Sequence, residues 1–317
     1  MAVRNSNNYK VVIVPEVSYG VQVKNLTTGV AFPDVFDWNY EPITQELKKK
    51  ENSLYKSLDR DVITGKKVVG SLSGDLRDTH EILLKAHFDD ASSPYLYPSQ
   101  LGSTLSYNVY RLWLNAAGDC THYDVLLGAV FNPLTFTGEP NGILQYSTTT
   151  EGTDFLENTA NSDGDALSNI PAVGGTCFLF ANMSGQLMNG ATALNSFSLE
   201  LSKTMVDDAL RFQNSMSKSN DRYTQVGGTF QVQTIYDDVS DDSMQADRYD
   251  PSKTASNPST LTFANASKTW TIVINGIVTS AENPDADRGL LLGNYTVDLR
   301  EDTDADEPPI TITVASV

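Results

Sequence analysis

Apolar and polar residues alternate along most of this chain in short runs separated by turn-forming clusters, and one stretch changes period partway through. In residues 65–90, Val68, Gly70 and Leu72 alternate with Val69, Ser71 and Ser73, the period expected of a strand with one buried face. After Gly74, Thr79, Ile82, Leu83 and Ala86 follow at i, i+3, i+4 and i+7. That spacing, with Asp75 placed to accept from the first-turn amides, predicts a helix over 75–89. Strands are also expected at Val11 to Val14, Val21 to Leu26, Leu105 to Trp113, Tyr123 to Leu127 and Ile143 to Thr150. Gly118-Asp119 and Asn141-Gly142 supply turns, and Pro133 to Pro140 reads as a loop. Between the early strands and the helix, residues 32–60 lose regularity. They carry Pro33, Pro42, Phe36, Trp38, Tyr40 and Lys48-Lys49-Lys50, which reads as a long arm that docks on something.

The second half runs through the same order. Phe197, Leu199 and Leu201 alternate, Met205 to Asp221 is irregular, and Tyr223 to Tyr236 alternates again. Within it Val226, Gly228 and Phe230 reproduce the spacing of Val68, Gly70 and Leu72, a shared V-x-G-[ST]-[LF]. The acidic stretch Asp237 to Asp250 stands where the first half has its helix. Trp270, Ile272 and Ile274 alternate up to an Asn275-Gly276 turn, and Tyr295 to Leu299 and Ile310 to Val314 close the chain around the acidic loop Glu301 to Glu307. Order as well as motif repeats, which is the signature of internal duplication. The polar run 151–169 reads as a linker. The expected organisation is therefore a first domain over 1–150, a linker over 151–169 and a second domain over 170–317.

Composition narrows the picture. A chain of 317 residues and 34.6 kDa suits two domains of about 150 residues. Its 14 Tyr, 12 Phe and many Val and Thr favour sheets. The net charge of −18 is unevenly placed: residues 1–150 carry 13 basic and 16 acidic groups, residues 151–317 carry 9 and 24. Phosphate gripping needs clustered Lys and Arg, so tight nucleic-acid binding is disfavoured, while passage of DNA without adhesion is compatible. The apolar run Val11 to Val14 is too short for a membrane span or a signal-peptide core, which points to a protein made in a cytoplasm.

The sequence offers little chemistry. Cys120 and Cys177 stand far apart without metal-ligand neighbours, which argues for two free thiols. His80 and His87 lie seven apart on the expected helix and read as surface residues; His122 stands alone. No nucleophile elbow, zinc-hydrolase pair, P-loop or dinucleotide fingerprint is present. Asp237-Asp238 with Asp241-Asp242, or Asp302, Asp304 and Asp306, could supply hard oxygen ligands, but neither run has the EF-hand glycine and terminal glutamate. We therefore expect no catalytic, cofactor or metal-ligating residues and no cofactor.

These ordered features resemble bacteriophage tail tube proteins, the major tail subunits of long-tailed phages. The resemblance rests on Glu16-x-x-Tyr19-Gly20 followed by a long arm, and on the Gly70-Ser71-Leu72 strand leading to a helix with Leu83-Leu84. It continues in the strand Thr104 to Leu114, in Leu127-Gly128-Ala129, and in a second half of similar β content. It implies a mainly β (α+β) fold of two tandem tail-tube-like β-sandwich or β-barrel units, the first with one packed helix. It further implies homotrimeric pseudo-hexameric or hexameric rings stacked into a tube that conducts the DNA genome into the host, with no enzymatic role and no membrane contact. Implied partners are further copies of the chain, a tape-measure protein, a tail terminator and distal tail proteins, with only transient non-specific contact to DNA; a sheath protein stays open. The site would be the virion tail, assembled in the host cytoplasm. The alternatives are a β-sandwich binding module or adhesin, calcium-dependent and carbohydrate-directed, and behind it an enzyme with dispersed carboxylates.

Overall fold

A computed structural model describes residues 9–33, 36–39, 46–50, 59–63, 68–97, 105–162, 164–187, 190–191, 194–205, 223–235, 258–281, 285–287, 290–300 and 307–317. The protein is mainly β, built of antiparallel sheets. The first half contains β1 (Tyr9–Pro15), β2 (Val30–Phe32), β3 (Phe36–Asn39), β4 (Glu46–Lys50), β5 (Asp59–Ile63) and β6 (Val68–Asp75). It continues with α1 (Glu81–Phe88), β7 (Tyr95–Tyr97), β8 (Tyr107–Leu114), β9 (Cys120–Gly138), β10 (Gln145–Gly152) and β11 (Asp154–Ala160). The second half contains β12 (Met183–Leu187), β13 (Gly190–Ala191), β14 (Leu194–Met205), β15 (Tyr223–Ile235), β16 (Ser259–Ala264) and β17 (Lys268–Ile274). It ends with β18 (Gly276–Ala281), β19 (Asp285–Asp287), β20 (Leu290–Leu299) and β21 (Ile310–Ser316).

Apart from β4 and β5, which pair only with each other, the pairings set these strands in two layers. Strand β9 serves both: its first part pairs with β8 and β11, its second part with β10 and β14. In the first half one layer runs β2-β1-β8-β9-β11 and the other β3-β6-β10-β9. In the second half the layers run β13-β12-β16-β17-β21 and β14-β15-β20-β18, with β17 and β18 in the places of the two parts of β9. The halves join where β14 pairs with β9, giving the continuous order β18-β20-β15-β14-β9-β10-β6-β3, and where β7 adds to β21. Antiparallel alternation sends one side of each layer inward. Phe136, Leu199, Phe230 and Val297 are thus buried together with Trp270, Phe263 and Ile272 of the facing layer, and α1 lies in the same core. Trp270 stands edge-on to Phe136 and against Phe178, at ring separations of 6.4 and 5.4 Å. A smaller cluster on the other side of β1, β8 and β9 is covered by Leu26 and Leu167.

Several expectations change. The helix starts at Glu81, because Asp75 stays in the β6 ladder opposite Gln145 and the Asp78 carboxylate accepts from the Thr176 amide at 2.9 Å. Its buried side includes Ile82, Leu83, Leu84, Ala86, His87 and Phe88, and His80 just before it is buried too. The reading of both histidines as surface residues is therefore overturned: the helix is enclosed between layers and has no wet side at those positions. Val21 to Leu26 forms no strand. Its backbone is held from outside instead, by Asn108 at Val23 (2.6 Å) and Ser168 at Leu26 (2.9 Å). The loop expected at Pro133 to Pro140 is mostly strand. Pro133 falls where the β9–β10 register shifts, a place that needs no ladder amide. Asn275-Gly276 makes no turn, since Asn275 is fixed between β17 and β18 by the Pro309 carbonyl and the Arg300 amide.

Residues 151–169, read as a linker, include strand β11 and the buried Leu167. The described part of the 32–60 arm is an antiparallel ribbon. The register Phe36↔Leu72 to Asn39↔Val69 is followed by Glu46↔Ile63 to Lys50↔Asp59, with Lys48 opposite Asp61. The acidic stretch 237–250, Asp302, Asp304, Asp306 and the irregular run 206–221 lie outside the described residues.

Candidate functional site: a polar sheet face

The register assembles a broad surface from residues distant in sequence. One cross-strand row reads Gln145, Thr137, Ser198, Gln231, Thr296, Ser280, taken from β10, β9, β14, β15, β20 and β18 in order. A parallel row reads Ser73, Ser147, Thr135, Glu200, Thr229, Asp298, Ile277. A third, shorter row sets Ser196, Gln233 and Asn294 side by side. One step along each strand the side chains turn into the core, where Tyr146, Phe136, Leu199, Phe230, Val297 and Val278 are all buried. Two-residue periodicity thus makes one side of the sheet apolar and the other a field of hydroxyls and amides.

Among the described residues these three rows contain Glu200 and Asp298 and neither lysine nor arginine. On this face Glu139, Ser196, Ser198, Gln231, Gln233 and Thr296 line an open trough of about 440 Å³. The large apolar residues under it, Phe197, Val232 and Tyr295, are buried. The amides are tied sideways. The Asn195 side-chain amide donates to Gln233 Oε1, and Gln233 Nε2 donates to Asn294 Oδ1 at 2.9 Å. Gly228 brings β15 close to its neighbour: a Cβ there would meet the Glu200 carbonyl oxygen at 2.4 Å.

The residues that carry the resemblance also meet, as a structural knot. The Glu16 carboxylate accepts from the Gly20 amide at 2.8 Å, the Gly128 amide at 2.7 Å, the Ser106 hydroxyl at 2.6 Å and the Asn108 side-chain amide. Gly20 and Gly128 both have positive φ, 71° and 64°, which glycine adopts without strain. The pattern Glu16-x-x-Tyr19-Gly20 therefore ties the β1–β2 loop to the bend of β9. Burial raises the Glu16 carboxyl above its ordinary range against the pull of these donors.

The remaining titratable groups do structural work. His80 stacks on Phe32 at 4.2 Å and accepts from the Arg77 amide at 3.3 Å; burial, then the Arg77 charge, pushes its pKa down to about 3. His87 stacks on Tyr97 and is held well below its usual range by burial and by Lys203. Lys203 and Asp89 form a buried ion pair at 2.7 Å, with burial driving both toward their neutral forms. Asp124 receives Arg111 at 2.7 Å, the Trp113 ring nitrogen and the Asn158 amide. Cys120 and Cys177 are free and half-buried, and burial pushes the Cys120 thiol up to about 11. Among the described residues no three His, Cys, Asp or Glu side chains gather to hold a metal ion, and no helix is long and apolar enough to cross a membrane. No protein-family model matches the sequence, and a search of curated proteins finds no similar chain.

Proposed function

We propose that this chain is a structural subunit of a phage-type tail tube, built of two tandem tail-tube-like β-sandwich units. The observation that carries this reading is the repeated strand order. Layers β3-β6-β10-β9 and β14-β15-β20-β18 lie side by side as one sheet with the same sequence of connections. The V-x-G-[ST]-[LF] motif stands in the second strand of each, at Val68-Gly70-Leu72 in β6 and Val226-Gly228-Phe230 in β15. Three such chains would supply a pseudo-sixfold ring, and stacked rings a tube.

The polar face suits the wall of a channel for DNA. Phosphates bind where lysines and arginines release counterions, and these rows offer hydroxyls, amides and two carboxylates. A duplex would pass without being held. In this reading the protein belongs to the virion tail, assembles in the host cytoplasm around a tape-measure protein, meets terminator and distal tail proteins at its ends, and has no catalytic role. A glycan-binding module finds less support, since the trough presents no exposed aromatic ring on which a sugar could stack.

Negative-stain electron microscopy of the purified protein tests the proposal. Rings or tubes with a central channel are expected; a monodisperse monomer at every concentration and salt tried refutes it.

A further inference from the structure

The join between the two halves is a worked example of how one copy can meet the next. Within the chain, the last strand of the first four-strand layer, β9, pairs antiparallel with the first strand of the second, β14, through Phe197↔Gly138, Leu199↔Phe136 and Leu201↔Leu134. At the ends of the combined sheet the corresponding strands have one neighbour each among the described residues: β3 pairs with β6, and β18 with β20. Bare strand edges leave a row of amides and carbonyls that a further strand can satisfy.

We propose that β18 of one copy pairs with β3 of the next in the register already used by β9 and β14; this rests on the tandem reading above. The positions can be matched through the repeat. Leu201 opposes Gly228 as Trp38 opposes Gly70, and Leu199 opposes Phe230 as Phe36 opposes Leu72. On the other side, Leu134 opposes Thr148, which opposes Leu72, and Val278 opposes Val297, which opposes Phe230. The internal pair Leu201↔Leu134 therefore maps onto Trp38 of one copy opposite Val278 of the next. One step further along the antiparallel register, Asn39 meets Ile277. Because β3 and β18 are different strands, the contact is head-to-tail, the kind that generates rings or filaments in place of closed dimers. The row through Asp298 and Ile277 of one copy would then continue to Asn39 and Val69 of the next, with no change of face.

Cysteine cross-linking reads this register directly, since facing Cα atoms in an antiparallel pair lie about 4.5–5.5 Å apart, within disulfide range. In a Cys120→Ser, Cys177→Ser background, the double variant Asn39→Cys with Ile277→Cys should give covalent multimers on a non-reducing gel after mild oxidation. The shifted pair Asn39→Cys with Ser280→Cys should give none. For the unsubstituted protein, amide exchange at 36–39 and 276–281 should slow on ring formation. Rings seen by microscopy without cross-links, and with unchanged exchange at those edges, overturn the register and leave the tube reading standing. Cross-links from the matched pair without rings or tubes support the register and sink the tube reading. Equal cross-linking by the shifted pair overturns the register.

Discussion

Replacing Glu16 tests whether the knot at the bend of β9 holds the first layer together. One carboxylate oxygen accepts from Gly128 and Asn108, the other from Gly20 and Ser106. Glu16→Gln keeps one acceptor oxygen and turns an NH₂ toward the other two donors. The Ser106 hydroxyl or the Asn108 amide can adjust, but a backbone amide cannot, so one buried N–H loses its partner at a cost of about 1–3 kcal/mol. Losing a second, charge-assisted bond adds about 1.5 kcal/mol, and relief from burying a charge takes part of that back. A net loss of about 2–3 kcal/mol corresponds to a drop of roughly 3–5 °C in Tm for a chain of this size. Glu16→Ala, which strands every donor, should lose more. Calorimetry at matched pH decides it. Because the folded Glu16 carboxyl sits above its ordinary pKa of 4.5, its linked contribution is full below that value and shrinks as pH rises through the folded one. The deficit of Glu16→Gln should therefore be larger at acid pH than at pH 8. A Glu16→Ala protein melting within about 1 °C of the parent would refute the reasoning.

Acid should weaken the fold through its histidines. His80 and His87 are held below their ordinary 6.5 by burial, so the unfolded chain takes up protons that the native one refuses. Stability should fall as pH drops below about 6.5, and denaturant titrations at neutral and acid pH should show a shallower fall in a His80→Gln variant. Lys203→Met leaves the Asp89 carboxylate buried without its cation and should lose about 3–5 kcal/mol. Adding Asp89→Asn should recover part of that, read as Tm; equal Tm values for the single and double variants would contradict the pairing. Ser198→Lys with Gln231→Lys places two cations in neighbouring positions of the polar row. Gel-shift assays should then show DNA retained at low salt and released as salt rises, with a log–log slope growing by about 0.9 per phosphate engaged, while the parent stays unbound.

Much of the sheet was legible because alternation is local. Val11 to Val14, Leu105 to Trp113, Phe197 to Leu201 and Trp270 to Ile274 all read as strands, and all lie in strands except Leu105 and Ser106, which precede β8. The repeated glycine motif could be read for the same reason, and Gly228 sits where two strands crowd. What stayed hidden depended on distant partners. Asp75 looks like a helix cap until Gln145 claims its ladder position, and Pro133 looks like a loop until the register shift beside it appears. Histidines at helical spacing carry no mark that says a second sheet will cover them. The polar face was least accessible, because Thr137, Ser198, Gln231 and Thr296 become neighbours only through pairings that span much of the chain.

Under the proposed tandem assembly, covalent duplication would give the subunit freedom that separate copies lack. The β9–β14 seam forms inside one chain, so it carries no translational and rotational penalty of association, and the two units beside it can diverge. Under the proposed tandem reading they differ among the described residues: α1 and its histidines lie in the first half, and β7 leaves that half to extend the second half's layer at β21. The continuous sheet face differs less, since serine, threonine and glutamine recur on both sides of the seam, although Glu200 and Asp298 stand only on the second-half side. A core can be repacked unit by unit, whereas a surface that must present the same chemistry around a closed ring can vary little. Under the proposed assembly, a cation placed on either half of this face should therefore hinder DNA passage equally, while substitutions confined to the α1 environment should alter stability alone. Unequal effects of Thr137→Lys and Thr296→Lys on DNA retention by assembled tubes would show that only one half faces the channel.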